Sequence, residues 1–116
     1  MPRWLFSVLL VLVLAPLAIA DPRRTVSGDY ESNWDEVRLV QDGNRVSGTY
    51  VCCGGGTIEG RIIEGRIIRY RWRQPGGEGR GVWRIEGNRL DGTWGSNDHE
   101  SDGGRWDLVR ANAIAN

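Results

Sequence analysis

The chain has no lysine, a single histidine, one phenylalanine, one methionine, and only two cysteines, which are adjacent. Past residue 20 it also has no apolar run approaching the roughly 20 residues that a membrane span needs. Each shortage closes off a class of function. Without Arg3, which belongs to the leader described below, fourteen arginines face fifteen acidic residues. That balance is near neutral, whereas a nucleic-acid binder carries a basic excess, so no nucleic-acid partner is expected. With one histidine, no nucleophile elbow and no phosphate loop, the machinery of a hydrolase or transferase is missing, and the chain reads as a non-enzyme. The one place where a metal or an acid/base pair could be assembled is His99, among Asn97, Asp98, Glu100 and Asp102. Its spacing matches no hard-cation loop, so it reads as a solvated acidic loop, and neither metal nor cofactor is expected. A 3.6-residue apolar period is missing as well, which leaves no helix to place in the fold.

The N-terminus has an address instead. Arg3 gives a positive start, Trp4 to Ala15 an apolar run, and Ala18-Ile19-Ala20 a small-x-small cleavage pattern before Asp21. The expectation is a cleaved signal peptide over 1–20 and a secreted or periplasmic domain over 21–116, with no membrane contact after cleavage. Pro16 and the short run argue against an uncleaved anchor, and no cysteine follows the cleavage point to carry a lipid. Ninety-six residues make one domain that buries only about 60–65% of the surface its unfolded chain exposes, so its core must be rich. Trp34, Trp72, Trp83, Trp94 and Trp106, with Tyr30, Tyr50 and Tyr70, supply it; each buried aromatic hides roughly 150–250 Å².

One phrase is written twice. Asp42-Gly43-Asn44-Arg45-Val46-Ser47-Gly48-Thr49-Tyr50 returns as Glu86-Gly87-Asn88-Arg89-Leu90-Asp91-Gly92-Thr93-Trp94. Each copy is a Gly-Asn hairpin turn followed by a strand in which apolar, glycine and aromatic residues alternate with polar ones. A two-residue turn at Gly43-Asn44 sets Leu39 against Gly48 and Val37 against Tyr50. Around Glu64-Gly65, a plain two-residue turn would bring Arg69, Arg71 and Arg73 into the core. A three-residue loop, Ile63-Glu64-Gly65 with Gly65 left-handed, instead puts Ile58, Gly60 and Ile62 on a face with Ile68, Tyr70 and Trp72. Eight short strands at spacings of about ten residues give an all-β, up-and-down antiparallel meander, which closes into a barrel or folds as a two-sheet sandwich. Closure removes exposed edges, and the barrel is the expected form.

Three groups of residues stand out as candidate sites. Gly28, Gly48, Gly60 and Gly92 lie near large aromatics on the inward face. They either make room for a filled interior or leave a cavity walled by Tyr30, Tyr50, Tyr70, Trp72, Trp83 and Trp94 for a small ligand, since eight strands suffice for either. Arg69, Arg71 and Arg73 form an outward stripe, extended by Arg61, Arg80 and Arg84, that suits an anionic polymer or an acidic protein partner if it is more than a solvated face. Cys52 and Cys53 are candidates for a vicinal bridge, for thiols on opposite faces, or for an intermolecular bridge. Adjacent Cα atoms lie about 3.8 Å apart, below the usual range for a disulfide, and a structural or dimerising role is expected over a redox one.

Gly48-Thr49-Tyr50, Tyr70-Arg71-Trp72 and Gly92-Thr93-Trp94 resemble the strand grammar of the avidin family, the eight-stranded biotin-binding barrels of the wider calycin group. The resemblance covers most of the chain after residue 20 in layout and implies pocket positions at Tyr50, Trp72 and Trp94. The opening, Gly28-Asp29-Tyr30-Glu31-Ser32-Asn33-Trp34, departs from that family's Trp-x-Asn-x-x-Gly-Ser clamp, so the likeness extends to the barrel and not to biotin. The expected function is a small binding module for an apolar or aromatic molecule, with partner binding through the arginine stripe and end loops as the alternative.

Overall fold

In the computed structural model, residues 25–111 are described; the expected leader lies outside them. Alternation of apolar and polar residues is realised as nine strands: β1 (Gly28–Ser32), β2 (Val37–Asp42), β3 (Arg45–Tyr50), β4 (Gly56–Ile63), β5 (Ile67–Gln74), β6 (Gly77–Glu86), β7 (Arg89–Ser96), β8 (Gly104–Arg105) and β9 (Leu108–Arg110). From β1 to β7 each strand pairs antiparallel with the next. β9 pairs with both β7 and β1 and closes the ring, so the fold is a meander barrel of eight strands and not a sandwich. This is the calycin-type architecture at its coarsest level. β8 is an extra two-residue strand on β7.

Turn chemistry sets the register. Asp42 pairs with Arg45 and Glu86 with Arg89, each across two residues, and Gly43 and Gly87 take the left-handed φ of the first turn position. The even loop aligns Leu39 with Gly48 and Val37 with Tyr50, as expected. At β4–β5 the expected faces also align, with Ile58 opposite Trp72, Gly60 opposite Tyr70 and Ile62 opposite Ile68. The loop itself sits one residue further on, at Glu64-Gly65-Arg66. Ile63 still pairs with Ile67, and both Glu64 and Gly65 are left-handed. The Arg66 N–H donates to the Ile63 carbonyl, so Arg66 is the extra residue that keeps the arginines outside.

The eighth strand is interrupted. Trp106 and Asp107 separate β8 from β9; the Trp106 N–H still donates to the Gly92 carbonyl at 2.9 Å, and side chains supply the remaining bonds. The Gly92 N–H donates to Asp107 Oδ1 at 3.0 Å, and the Asp107 N–H donates to Asn33 Oδ1 at 2.9 Å. The Arg105 guanidinium and the Gly92 hydrogen bond hold the Asp107 carboxyl below its usual range, the arginine contributing most. Inside the barrel, Val26, Tyr30, Val37, Leu39, Val46, Ile58, Ile68, Trp83, Leu90 and Leu108 are all buried.

Candidate functional site

Four aromatic side chains follow one rule. Each lies opposite a glycine on the next strand: Tyr50 faces Gly56, Tyr70 faces Gly81, Trp72 faces Gly79 and Trp83 faces Gly92. Each reaches across that strand toward a backbone carbonyl 23 residues ahead in sequence; Tyr70, Trp72 and Trp83 donate to it, while the Tyr50 hydroxyl lies 3.3 Å from the Arg73 carbonyl. Tyr70 Oη reaches Thr93 at 2.9 Å, Trp72 Nε1 reaches Gly95 at 3.0 Å and Trp83 Nε1 reaches Trp106 at 3.0 Å. A Cβ on Gly56 or Gly81 would overlap the tyrosine ring above it, and one on Gly79 would stand 2.8 Å from the Trp72 indole. Glycine is thus what lets a ring lie flat against the inner wall of a narrow barrel.

The middle of the barrel is filled as a result. Tyr70 stacks on Trp83 with centroids 4.0 Å apart, and Trp106 meets both rings edge-on. The filling stops short of one end. β1, β3, β5 and β7 run in the same direction, and where they finish, a cleft of about 210 Å³ opens. Tyr50, Trp72 and Trp94 wall it from β3, β5 and β7, Trp106 forms its floor side, and Trp34 stands over it from the β1–β2 loop. Trp34 donates Nε1 to the Arg105 carbonyl at 2.9 Å and meets Trp94 edge-on at 5.7 Å, although 41% of it remains exposed. Gln74 provides the polar element: Tyr50 Oη donates to its Oε1 at 2.7 Å. Burial pushes the Tyr50 phenol up to about 12.

Of the residues expected around a ligand, Tyr50, Trp72 and Trp94 meet at this cleft. These are also the three positions implied by the avidin-type resemblance. Tyr70 and Trp83 belong to the filled middle, and Tyr30 lies elsewhere, donating to the Val26 carbonyl beneath the Arg110 guanidinium. Sequence reasoning missed Trp34, Gln74 and Trp106 as lining residues. The signal for Trp34 was an indole in an otherwise polar turn, Asn33 to Glu36.

Among the described residues, Trp94 differs from the other four indoles. Trp34, Trp72, Trp83 and Trp106 each donate Nε1 to an oxygen of the protein, whereas Trp94 Nε1 is buried with no acceptor. Cys52 and Cys53, in a single 3₁₀ turn just after β3, are joined to each other and form one side of the same cleft. Of the three arrangements open in sequence this is the vicinal bridge, and the pair lies in the cleft wall.

His99 is exposed, and the acids around it serve the protein. Asp98 pairs with Arg80, Glu100 with Arg69, and Asp102 accepts from the Ser96 N–H. Among the described residues no group of three or more His, Cys, Asp or Glu side chains is placed to hold a metal ion. Arg69, Arg71 and Arg73 stand outward on β5, as expected. No protein-family model, curated protein or solved structure matches the chain.

Proposed function

We propose that this protein is an exported binding module that takes a small, flat, apolar or aromatic molecule into the cleft at the end of the barrel. The observation that carries the reading is the cleft itself, whose aromatic walls include Trp34 and Trp72 fixed by hydrogen bonds to backbone carbonyls and Tyr50 and Trp106 fixed by side-chain oxygens of Gln74 and Ser32. Its volume of about 210 Å³ exceeds the roughly 150 Å³ of an apolar cavity that accepts benzene. It falls below the roughly 300–1,000 Å³ of sites for drug-sized ligands. One or two fused rings fit that range. Convergence of Tyr50, Trp72 and Trp94, the positions implied by the avidin-type likeness, supports a ligand at this end of the barrel. Apart from Gln74 and the joined Cys52–Cys53 pair the lining is aromatic, and the reading is binding.

Tryptophan fluorescence tests it. Titration with indole and with 1-naphthol is expected to give a saturable change. Trp34→Ala removes an exposed ring from above the cleft without opening the core. It is expected to weaken binding about tenfold, the loss of one aromatic contact, and to leave the melting temperature nearly unchanged. If no such compound gives a saturable change, or if Trp34→Ala binds as tightly as the native chain, the reading fails.

A further inference from the structure

The outer face of β3–β6 carries a cluster of arginines that the fold leaves without adequate counter-charge. Arg45, Arg61 and Arg69 occupy directly paired positions on β3, β4 and β5, and Arg71 on β5 lies between Glu59 on β4 and Arg80 on β6. Neighbouring strands are about 4.8 Å apart, and like charges directly opposite one another destabilise a sheet. Elsewhere on the barrel charges are matched closely: Arg38 meets Asp29 at 2.7 Å, Arg89 meets Asp91 at 2.9 Å and Arg105 meets Asp107 at 2.7 Å. On the arginine face the contacts are long: Arg45 to Glu59 and Arg80 to Asp98 at 3.5 Å, and Arg69 to Glu100 at 3.9 Å. Arg61 and Arg71 have no carboxylate within 4.0 Å among the described residues. These side chains border a groove of about 450 Å³, separate from the aromatic cleft.

The missing counter-charge defines the occupant. Guanidinium forks bind carboxylate, sulfate and phosphate oxygens in pairs. A folded protein partner would anchor on a buried aromatic or apolar centre, and single-stranded nucleic acid would stack on exposed rings. Apart from the edge of Tyr70, the groove has only Ile63 as a large apolar residue. Charge without an apolar anchor suits a flexible chain that bears its own repeated anions. We propose that this groove binds an acidic polysaccharide through its carboxylate or sulfate groups, with Arg61 and Arg71 as the central contacts. The proposal concerns a different face from the cleft and does not depend on what the cleft holds.

The test is calorimetric titration of the full chain at low salt with alginate and with dextran sulfate, which separate carboxylate from sulfate recognition. Polyglutamate and duplex DNA serve as competing polyanions. At least one polysaccharide is expected to bind, and roughly 1 M salt, where the screening length is about 3 Å, to abolish the binding. Arg61→Ser with Arg71→Ser is expected to weaken it about tenfold or more, the loss of charge-assisted hydrogen bonds. Removing two arginines from like-charged neighbours is also expected to leave the melting temperature equal or higher, so a folding defect cannot account for lost binding. Arg38→Ser with Arg89→Ser, on other parts of the surface, should change binding less than twofold. The proposal is overturned if neither polysaccharide binds, if the Arg61/Arg71 variant binds as the native chain does, or if polyglutamate or DNA binds more tightly than both polysaccharides.

Discussion

Trp83 and Trp94 sit on adjacent strands with the same side chain in opposite circumstances. Trp83 is fully buried, stacked on Tyr70 and hydrogen-bonded to the Trp106 carbonyl. Trp94 is half-buried at the cleft, and its buried N–H has no acceptor among the described residues. A buried donor without a partner costs about 1–3 kcal/mol, while removing one member of a made hydrogen bond strands the other. Trp83→Phe is therefore expected to lower stability by about 2–4 kcal/mol, through the orphaned carbonyl and the void beside Tyr70. Trp94→Phe is expected to cost no more than about 1 kcal/mol, because the lost contacts are offset by removal of the unsatisfied N–H. Urea unfolding of the two variants decides the matter, and equal losses would show that the Trp94 indole is satisfied in solution. None of this was legible at the level of residue type. The five described indoles looked alike in sequence, and what separates them is whether the fold brings an oxygen within reach of Nε1.

At the scale of strands and turns, much more could be read. The pairings of Val37 with Tyr50 and of Leu39 with Gly48 follow from a two-residue turn and a period of two. So does the face shared by Ile58, Gly60, Ile62, Ile68, Tyr70 and Trp72. The loop after Ile63 was displaced by one residue because Glu64, a non-glycine, takes a left-handed φ that sequence assigns to glycine by default. The break at Trp106-Asp107 was hidden because it depends on Asn33, more than seventy residues away, supplying the acceptor for the Asp107 N–H. The glycines show the same division. Gly87 is needed for a backbone conformation: its φ is +61°, and a Cβ there would meet nothing. Gly92 is needed for space, since a Cβ would overlap the Val82 carbonyl oxygen of the neighbouring strand. Gly87→Ala is expected to cost about 1 kcal/mol, the ordinary penalty of a left-handed alanine. Gly92→Ala, which must push β6 and β7 apart, is expected to cost about 3 kcal/mol. Thermal unfolding of both would reverse the assignment if Gly87→Ala proved the more damaging.

For the whole molecule, the closed barrel fixes both where a ligand has room and how the fold responds to alkali. The position of the cleft was partly legible, because Tyr50, Trp72 and Trp94 occupy equivalent places on alternate strands. Its extent was not, because Trp34 and Trp106 reach it from a loop and from a strand break. Closure also takes all three tyrosines out of water. Burial raises the phenol of Tyr30, against a smaller opposing effect of Arg110. It raises Tyr50 to about 12, and it raises Tyr70 furthest, with the neighbouring Tyr50 adding to the effect. An unfolded tyrosine releases its proton near pH 10. Below that pH both states hold the protons and the full stability is present. As the pH climbs from about 10 through 12, the unfolded chain ionises while the folded one does not, so stability is lost. Lysine, which would titrate in the same range, is absent, and the two cysteines are joined, so the phenols dominate this window. The melting temperature is expected to fall steeply above about pH 10, with tyrosinate absorbance rising together with the loss of β-sheet circular dichroism. Tyr70→Phe should be less stable at neutral pH by about 1 kcal/mol, the hydrogen bond to Thr93 being lost. It should also show a shallower alkaline slope, because one phenol no longer titrates. If tyrosinate formed near pH 10 while the barrel's circular dichroism stayed native, water would have access to the interior, and the filled core would have to be abandoned.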